Sequence, residues 1–201
     1  MKYIITKSQY DLLMEEEQEV LYIPSVELFG NWNTLQEFLK NRGNSPYKVG
    51  GNLDLSSSPI SSLGNLTSVG GDLNLRGSKI SSLGNLTSVG GHLNLSSTPI
   101  SSLGNLTSVG GDLDLYNSEI SSLGNLTSVG GMLDLYDCKI SSLGNLTTVG
   151  STLDLRYTQI ETLGNLISVG DNSFLRDTPL SKKMTEKEIR AKVEISGALY
   201  L

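Results

Sequence analysis

Ser61-Ser62-Leu63-Gly64-Asn65-Leu66-Thr67-Ser68-Val69-Gly70-Gly71 returns letter for letter from Ser81, from Ser101 and from Ser121. A degraded copy starts at Ser141 and a looser one at Glu161, so the period is 20 residues. Six units run from Val49 to Ser168, and a seventh opens at Val169. Self-similarity at such a period marks a stack of small units, each built on its neighbour.

Outward from this stretch, every unit carries a Leu-x-Leu pair, from Leu53/Leu55 through Leu133/Leu135 to Leu153/Leu155. Alternation over so few residues predicts a short strand with both leucines on one face. An isoleucine follows (Ile60 in the first unit), then Leu63, Leu66 and Val69, at the same offsets in later units. One coil cannot bury so many apolar residues alone, whereas stacked coils make a continuous core.

Between the second leucine and the isoleucine lies the column Ser58, Ser78, Thr98, Ser118, Cys138, Thr158 and Thr178. Here the sequence resembles the leucine-rich-repeat family, whose signature Leu-x-x-Leu-x-Leu-x-x-Asn-x-Leu places Asn or Cys in that column. The resemblance covers about two-thirds of the chain and recurs in register. It departs in two ways: Val-Gly-Gly replaces the leading leucine, and Ser or Thr replaces the Asn, which predicts weaker hydrogen bonding along the column. The short, near-identical units are most similar to repeats carried by some bacterial and bacteriophage proteins. The resemblance implies an α/β leucine-rich-repeat solenoid, with a parallel β-sheet on one face and irregular arcs on the other. A right-handed β-helix is the alternative, distinguished by whether Leu63 to Val69 forms a second sheet.

The flanks follow the same register. Val20 to Ile23 reads as a strand with Leu21 and Ile23 in the Leu-x-Leu places, and a helix is expected from an N-cap at Asn33 to Arg42. Before it, a strand at Tyr3 to Ile5 and a helix from Ser8 to Glu17 are expected. Ile195 to Leu201 aligns with Val149 to Leu155, after a helix over Thr185 to Lys192 that opens with Thr185 and Glu188 as a capping box. This divides the chain into an N-terminal helical cap (1–48), the repeats (49–180) and a C-terminal helix-and-strand cap (181–201).

The net charge of −6 argues against nucleic acid as the partner. No apolar run approaches the ~20 residues that span a bilayer, and the polar start predicts a cytoplasmic protein with no membrane partner. The lone Cys138 is expected to be a small buried hydrophobe. His92 is the only histidine, so no catalytic dyad is expected, and no cofactor or metal site. The five Asn-Leu-Thr triplets, from Asn65 to Asn145, are formal glycosylation sequons. Being locked to the repeat, they read as turn chemistry.

The residue between the paired leucines must face away from the core: Asp54, Asn74, Asn94, Asp114, Asp134 and Asp154, extending to Phe174 and Tyr200, with Tyr22 at the other end. Strands about 4.8 Å apart bring Asp114, Asp134 and Asp154 close, and each like-charged pair at ~5 Å costs about 0.8 kcal/mol in water. Such a row can meet a basic partner, keep the sheet wet, or hold a cation such as calcium. Three neighbouring columns vary most between copies: Asn52 to Thr152, Ser56 to Arg176, and Ser57 to Asp177. All three are expected on one concave sheet face and its rim, whereas Ser61 and Ser62 repeat almost unchanged. The substituents lean toward Tyr and Arg, which dominate binding hot spots. The expected partner-binding set is Asp114, Tyr116, Asp134, Tyr136, Asp154, Arg156, Tyr157, Phe174 and Arg176, and the expected partner is a protein with a basic surface. The alternatives are a structural spacer or assembly subunit contacting through caps or edges, and an ice or mineral binder using Thr ladders such as Thr67, Thr87 and Thr107.

Overall fold

A computed structural model describes residues 20–201; the strand and helix expected before residue 20 lie outside them. From Tyr47 onward each coil of the described chain adds one strand to each of two parallel sheets, and the coil before it adds Leu21–Ile23 to one of them. The Leu-x-Leu dipeptides, Leu53–Asp54 through Leu153–Asp154, continue through Ser173–Phe174 to Leu199–Tyr200 as an eight-stranded sheet, here the leucine sheet. The dipeptide before each Gly-Gly corner, such as Ser128–Val129, belongs to a nine-stranded valine sheet running from Leu21–Ile23 to Glu194–Ile195. Successive strands pair at an offset of one repeat, Leu133 with Leu113 and Leu153, and Val129 with Val109 and Val149. The chain is thus a parallel β-solenoid. All twelve repeat leucines of the Leu-x-Leu pairs are buried, at 7% exposure or less.

The expected irregular arc is corrected: Leu63 to Val69 and its equivalents end in the second sheet, while turns occupy the rest of the arc. A two-residue strand beside Gly-Gly leaves no alternation to read. Tyr22 also changes place. Leu21–Ile23 pairs with Tyr47–Val49 in the valine sheet, so Tyr22 stands beside Lys48 there and not in the aspartate column. The helix α1, Trp32–Lys40, is capped by Asn31, whose side chain accepts from Thr34 N at 3.0 Å, not by Asn33. It buries Trp32, Leu35 and Leu39. Near the other end lie α2, Pro179–Lys183, and α3, Glu186–Arg190, the latter opened by the expected Thr185–Glu188 capping box.

The Val-Gly-Gly corner has a steric cause. A Cβ on Gly90, Gly110, Gly130, Gly150 or Gly170 would meet the carbonyl oxygen of the corresponding glycine one coil back at 2.0–2.2 Å. The coils touch backbone to backbone at this point, and only glycine fits. The second glycine answers to a different neighbour. Asn52, Asp72, His92 and Asp112 each accept, through Oδ1 or Nδ1, from the amide of the equivalent residue one coil on, at 2.7–2.9 Å. A Cβ on Gly71, Gly91, Gly111 or Gly131 would strike these acceptors at 2.0–2.9 Å. Where the column changes to Met132 and Thr152, the next corner carries Ser151 and Asp171 in place of glycine. Asn172 then resumes the bond, to Ala198 N at 2.8 Å, and Gly197 stands beside it. From Asn52 to Asp112 this column is a ladder of amide acceptors along a corner.

Other repeated residues act in the same structural way. The Ser62 column, Thr162 included, accepts from the amide of the turn glycine two residues on at 3.0–3.1 Å. Those glycines, such as Gly104, have φ near +57° to +61°. Thr67 and its equivalents through Thr147 donate to the carbonyl one coil back at 2.9–3.0 Å, and Asn105 and Asn165 also reach back one coil. The near-invariance of Ser62 therefore reports turn geometry. In the buried column, Ser58, Thr98, Thr158 and Thr178 donate to the leucine carbonyl three residues earlier, within their own turn. Cys138 instead points back to Leu115 O, and burial pushes its thiol up to about 11, so the thiolate nucleophile is suppressed.

Candidate partner-binding face

The outward column of the leucine sheet is first a turn-former. Asp54, Asn74, Asn94, Asp114, Asp134 and Asp154 each accept, through Oδ1, from the amide two residues on, at 2.9–3.2 Å. These are Asx turns. They lead the chain into a left-handed residue, which the coil of Phe174 reaches without such a turn: Ser57, Gly77, Ser97, Asn117, Asp137, Tyr157 and Asp177 all have φ between +53° and +64°. The third variable column is therefore constrained by backbone, which explains its Ser, Gly, Asn and Asp. Asp or Asn followed three residues later by Gly, Asn, Asp or Ser was the signal for this turn.

Tyr157 breaks that rule. A bulky side chain at φ +60° is an outlier that local sterics disfavour. Its ring packs edge-on against Tyr136, with centroids 5.2 Å apart, while the residue stays 49% exposed. Tyr136 also meets Tyr116 at 5.7 Å. The Arg156 guanidinium lies 5.1 Å from the Tyr136 centroid and 5.1 Å from that of Phe174. Phe174 stacks on Tyr200, rings 4.7 Å apart and 4° from parallel. The result is an unbroken row of rings and one guanidinium across consecutive coils. Tyr200 joins it through the register, although the expected site did not include it. Arg176 is exposed, and among the described residues it stacks on no ring and pairs with no carboxylate.

Arg156 also grips Asp154 with Nε at 2.9 and 3.0 Å and a further bond from its terminal nitrogen. The aspartate column and the aromatic row thus share one face. Among the described residues, Asp114 and Asp134 have no ion-pair partner. The electrostatics follow from neighbours. Accepting from Ser56 holds Asp54 below the usual carboxylate range. Asp134 makes the equivalent bond to Tyr136, yet burial raises its pKa, and Asp154 and Asp114 add to the effect.

A raised folded-state pKa means that protonation of Asp134 favours the native state. Stability is lost as pH climbs through that pKa, so at neutral pH the ionised carboxylate is a burden. Asp134→Asn keeps the acceptor for Tyr136 N, as Asn74 and Asn94 do in the same column. Solvent screening limits the gain to less than about 1 kcal/mol. We expect Tm at pH 7 to rise by about 1–3 °C, with the advantage fading as pH falls through the range where wild-type Asp134 takes up its proton. An advantage that grew with falling pH would reverse this assignment.

Among the described residues no group of three or more His, Cys, Asp or Glu side chains is placed to hold a metal, and no helix is long and apolar enough to cross a membrane. Fold and face define a parallel β-solenoid bearing an aromatic–acidic strip. Compared with family models, curated proteins and solved structures, the chain matches none.

Proposed function

We propose that this chain is a non-catalytic protein-binding module that presents the leucine-sheet face to a partner with a basic surface. The observation that carries the reading is Tyr157. Its six equivalents are small or turn-forming residues suited to positive φ, and the aromatic ring in their place strains the backbone. What that ring adds is exposed contact area continuous with Tyr136 and Tyr116. Tyr and Arg anchors of this kind dominate binding hot spots, and Asp114 and Asp134 beside them favour a cationic partner. The resemblance of the units to leucine-rich repeats supports the reading too, since such repeats usually mediate protein–protein contacts.

The test is affinity capture from the native host, comparing wild type with Tyr116→Ala plus Tyr157→Asn. Arg156 is left in place because its removal would strand the buried Asp154. Asn at 157 restores a residue suited to the left-handed conformation, which offsets lost ring packing by about 1 kcal/mol. We expect at least about tenfold less captured partner with the thermal transition nearly unmoved. Undiminished capture would move the interface to another surface.

A further inference from the structure

We propose that Asp114 and Asp134, with the Tyr116 and Tyr136 rings, receive an arginine side chain of the partner. This rests on the partner-binding reading above and names the chemistry of its central contact.

The molecule carries its own template one coil away. There a carboxylate of the aspartate column, Asp154, is held by the guanidinium of the residue two positions on, Arg156. The same guanidinium lies over one ring from the preceding coil, Tyr136, and one from the following coil, Phe174. A planar, delocalised cation suits this place because it can bond a carboxylate through its edge and stack on rings through its faces. The coils of Asp114 and Asp134 repeat the scaffold. Their carboxylates are in backbone register with Asp154 and make the same Asx turn. At the position of Arg156, however, they hold Tyr116 and Tyr136. These coils therefore keep the carboxylates and the rings; Arg156 of the following coil lies over Tyr136, but among the described residues no cation pairs with the carboxylate of Asp114 or Asp134.

Charge complementarity decides the occupant. Asp134 is pressed by burial and by the like charges of Asp154 and Asp114, which the Tyr136 amide and the more distant Arg156 offset only in part, and a cation paired directly with it relieves the remaining pressure. The cation needs a route in, and Tyr116, 48% exposed, leaves the outer side of the strip open. An ammonium could pair with the carboxylates but would not reproduce stacking and bidentate pairing together.

The test is a nuclear magnetic resonance titration of the full chain with the peptide acetyl-Gly-Arg-Gly-amide and its Lys and citrulline counterparts. We expect saturable shifts of the Tyr116 and Tyr136 ring signals with the Arg peptide, several-fold weaker binding of the Lys peptide, and none of the neutral citrulline peptide. Asp134→Asn, which keeps the turn, should weaken the Arg peptide by about tenfold, and Tyr116→Ala should weaken it as well. Equal responses to all three peptides, Arg-peptide shifts confined to other surfaces, or unchanged affinity in Asp134→Asn would each overturn the arginine site. None of these results depends on the capture experiment: lost capture combined with no arginine preference would sustain the binding face and reject this occupant.

Discussion

Gly130→Ala is expected to destabilise the solenoid by about 3 kcal/mol or more, the upper range for forcing extra volume into a packed site. The new methyl would sit 2.1 Å from the Gly110 carbonyl oxygen and 2.9 Å from its carbonyl carbon. Neither atom belongs to a side chain that can rotate away. Relief requires the two coils to separate where the valine sheet turns into the leucine sheet, and each coil is held only by its neighbours. In a chain of this size such a loss lowers Tm by about 6–12 °C. Gly144→Ala is the matched control. It also adds one methyl, its Cβ would meet nothing within 4 Å, and its cost is the positive φ of +57° alone, about 1–2 kcal/mol. Thermal melts of both variants by circular dichroism decide the matter; equal losses at the two sites would mean that the coils do not meet at Gly110 and Gly130.

The second large effect is a coupling. Gly131→Ser places a Cβ 2.1 Å from Asp112 Oδ1, the atom that accepts from Met132 N. Expelling that carboxylate and crowding the backbone beside it should cost about 2–3 kcal/mol. Asp112→Met alone forfeits the acceptor, at about 1 kcal/mol. Combined, the two changes recreate the pairing that Met132 and Ser151 already form one coil later. The double variant should therefore be more stable than the sum of the single losses predicts, by about 1–2 kcal/mol. Denaturant melts of all four proteins measure the coupling, and strict additivity would refute the link between the acceptor column and the corner glycine.

Much of the architecture was legible from the period. Identical residues at a spacing of 20 can satisfy their apolar columns only by stacking in register, so the buried leucines and the outward placement of Asp114, Asp134 and Asp154 follow from the pattern alone. The register also placed Tyr200 correctly, beside Phe174. The second sheet was hidden because a two-residue strand next to Gly-Gly resembles a turn. Tyr22 was misplaced because Leu21-Tyr22-Ile23 has the alternation of a Leu-x-Leu strand, and only pairing with Tyr47–Val49 shows which sheet takes it.

The candidate face divides along similar lines. By itself the sequence determined the columns: which residues recur, which vary, and that Asp, Tyr and Arg gather in the later coils. Only the tertiary structure decided what each column is for, because that depends on contacts between residues 20 apart and on the sign of φ. Asn52 to Asp112 became amide acceptors along a corner, Ser57 to Asp177 a left-handed turn, and the aspartates Asx caps before they were anything else. Against that background Tyr157 ceased to be one variable residue among many: a ring at φ +60° is costly in any chain, and its cost becomes visible only when the backbone is known.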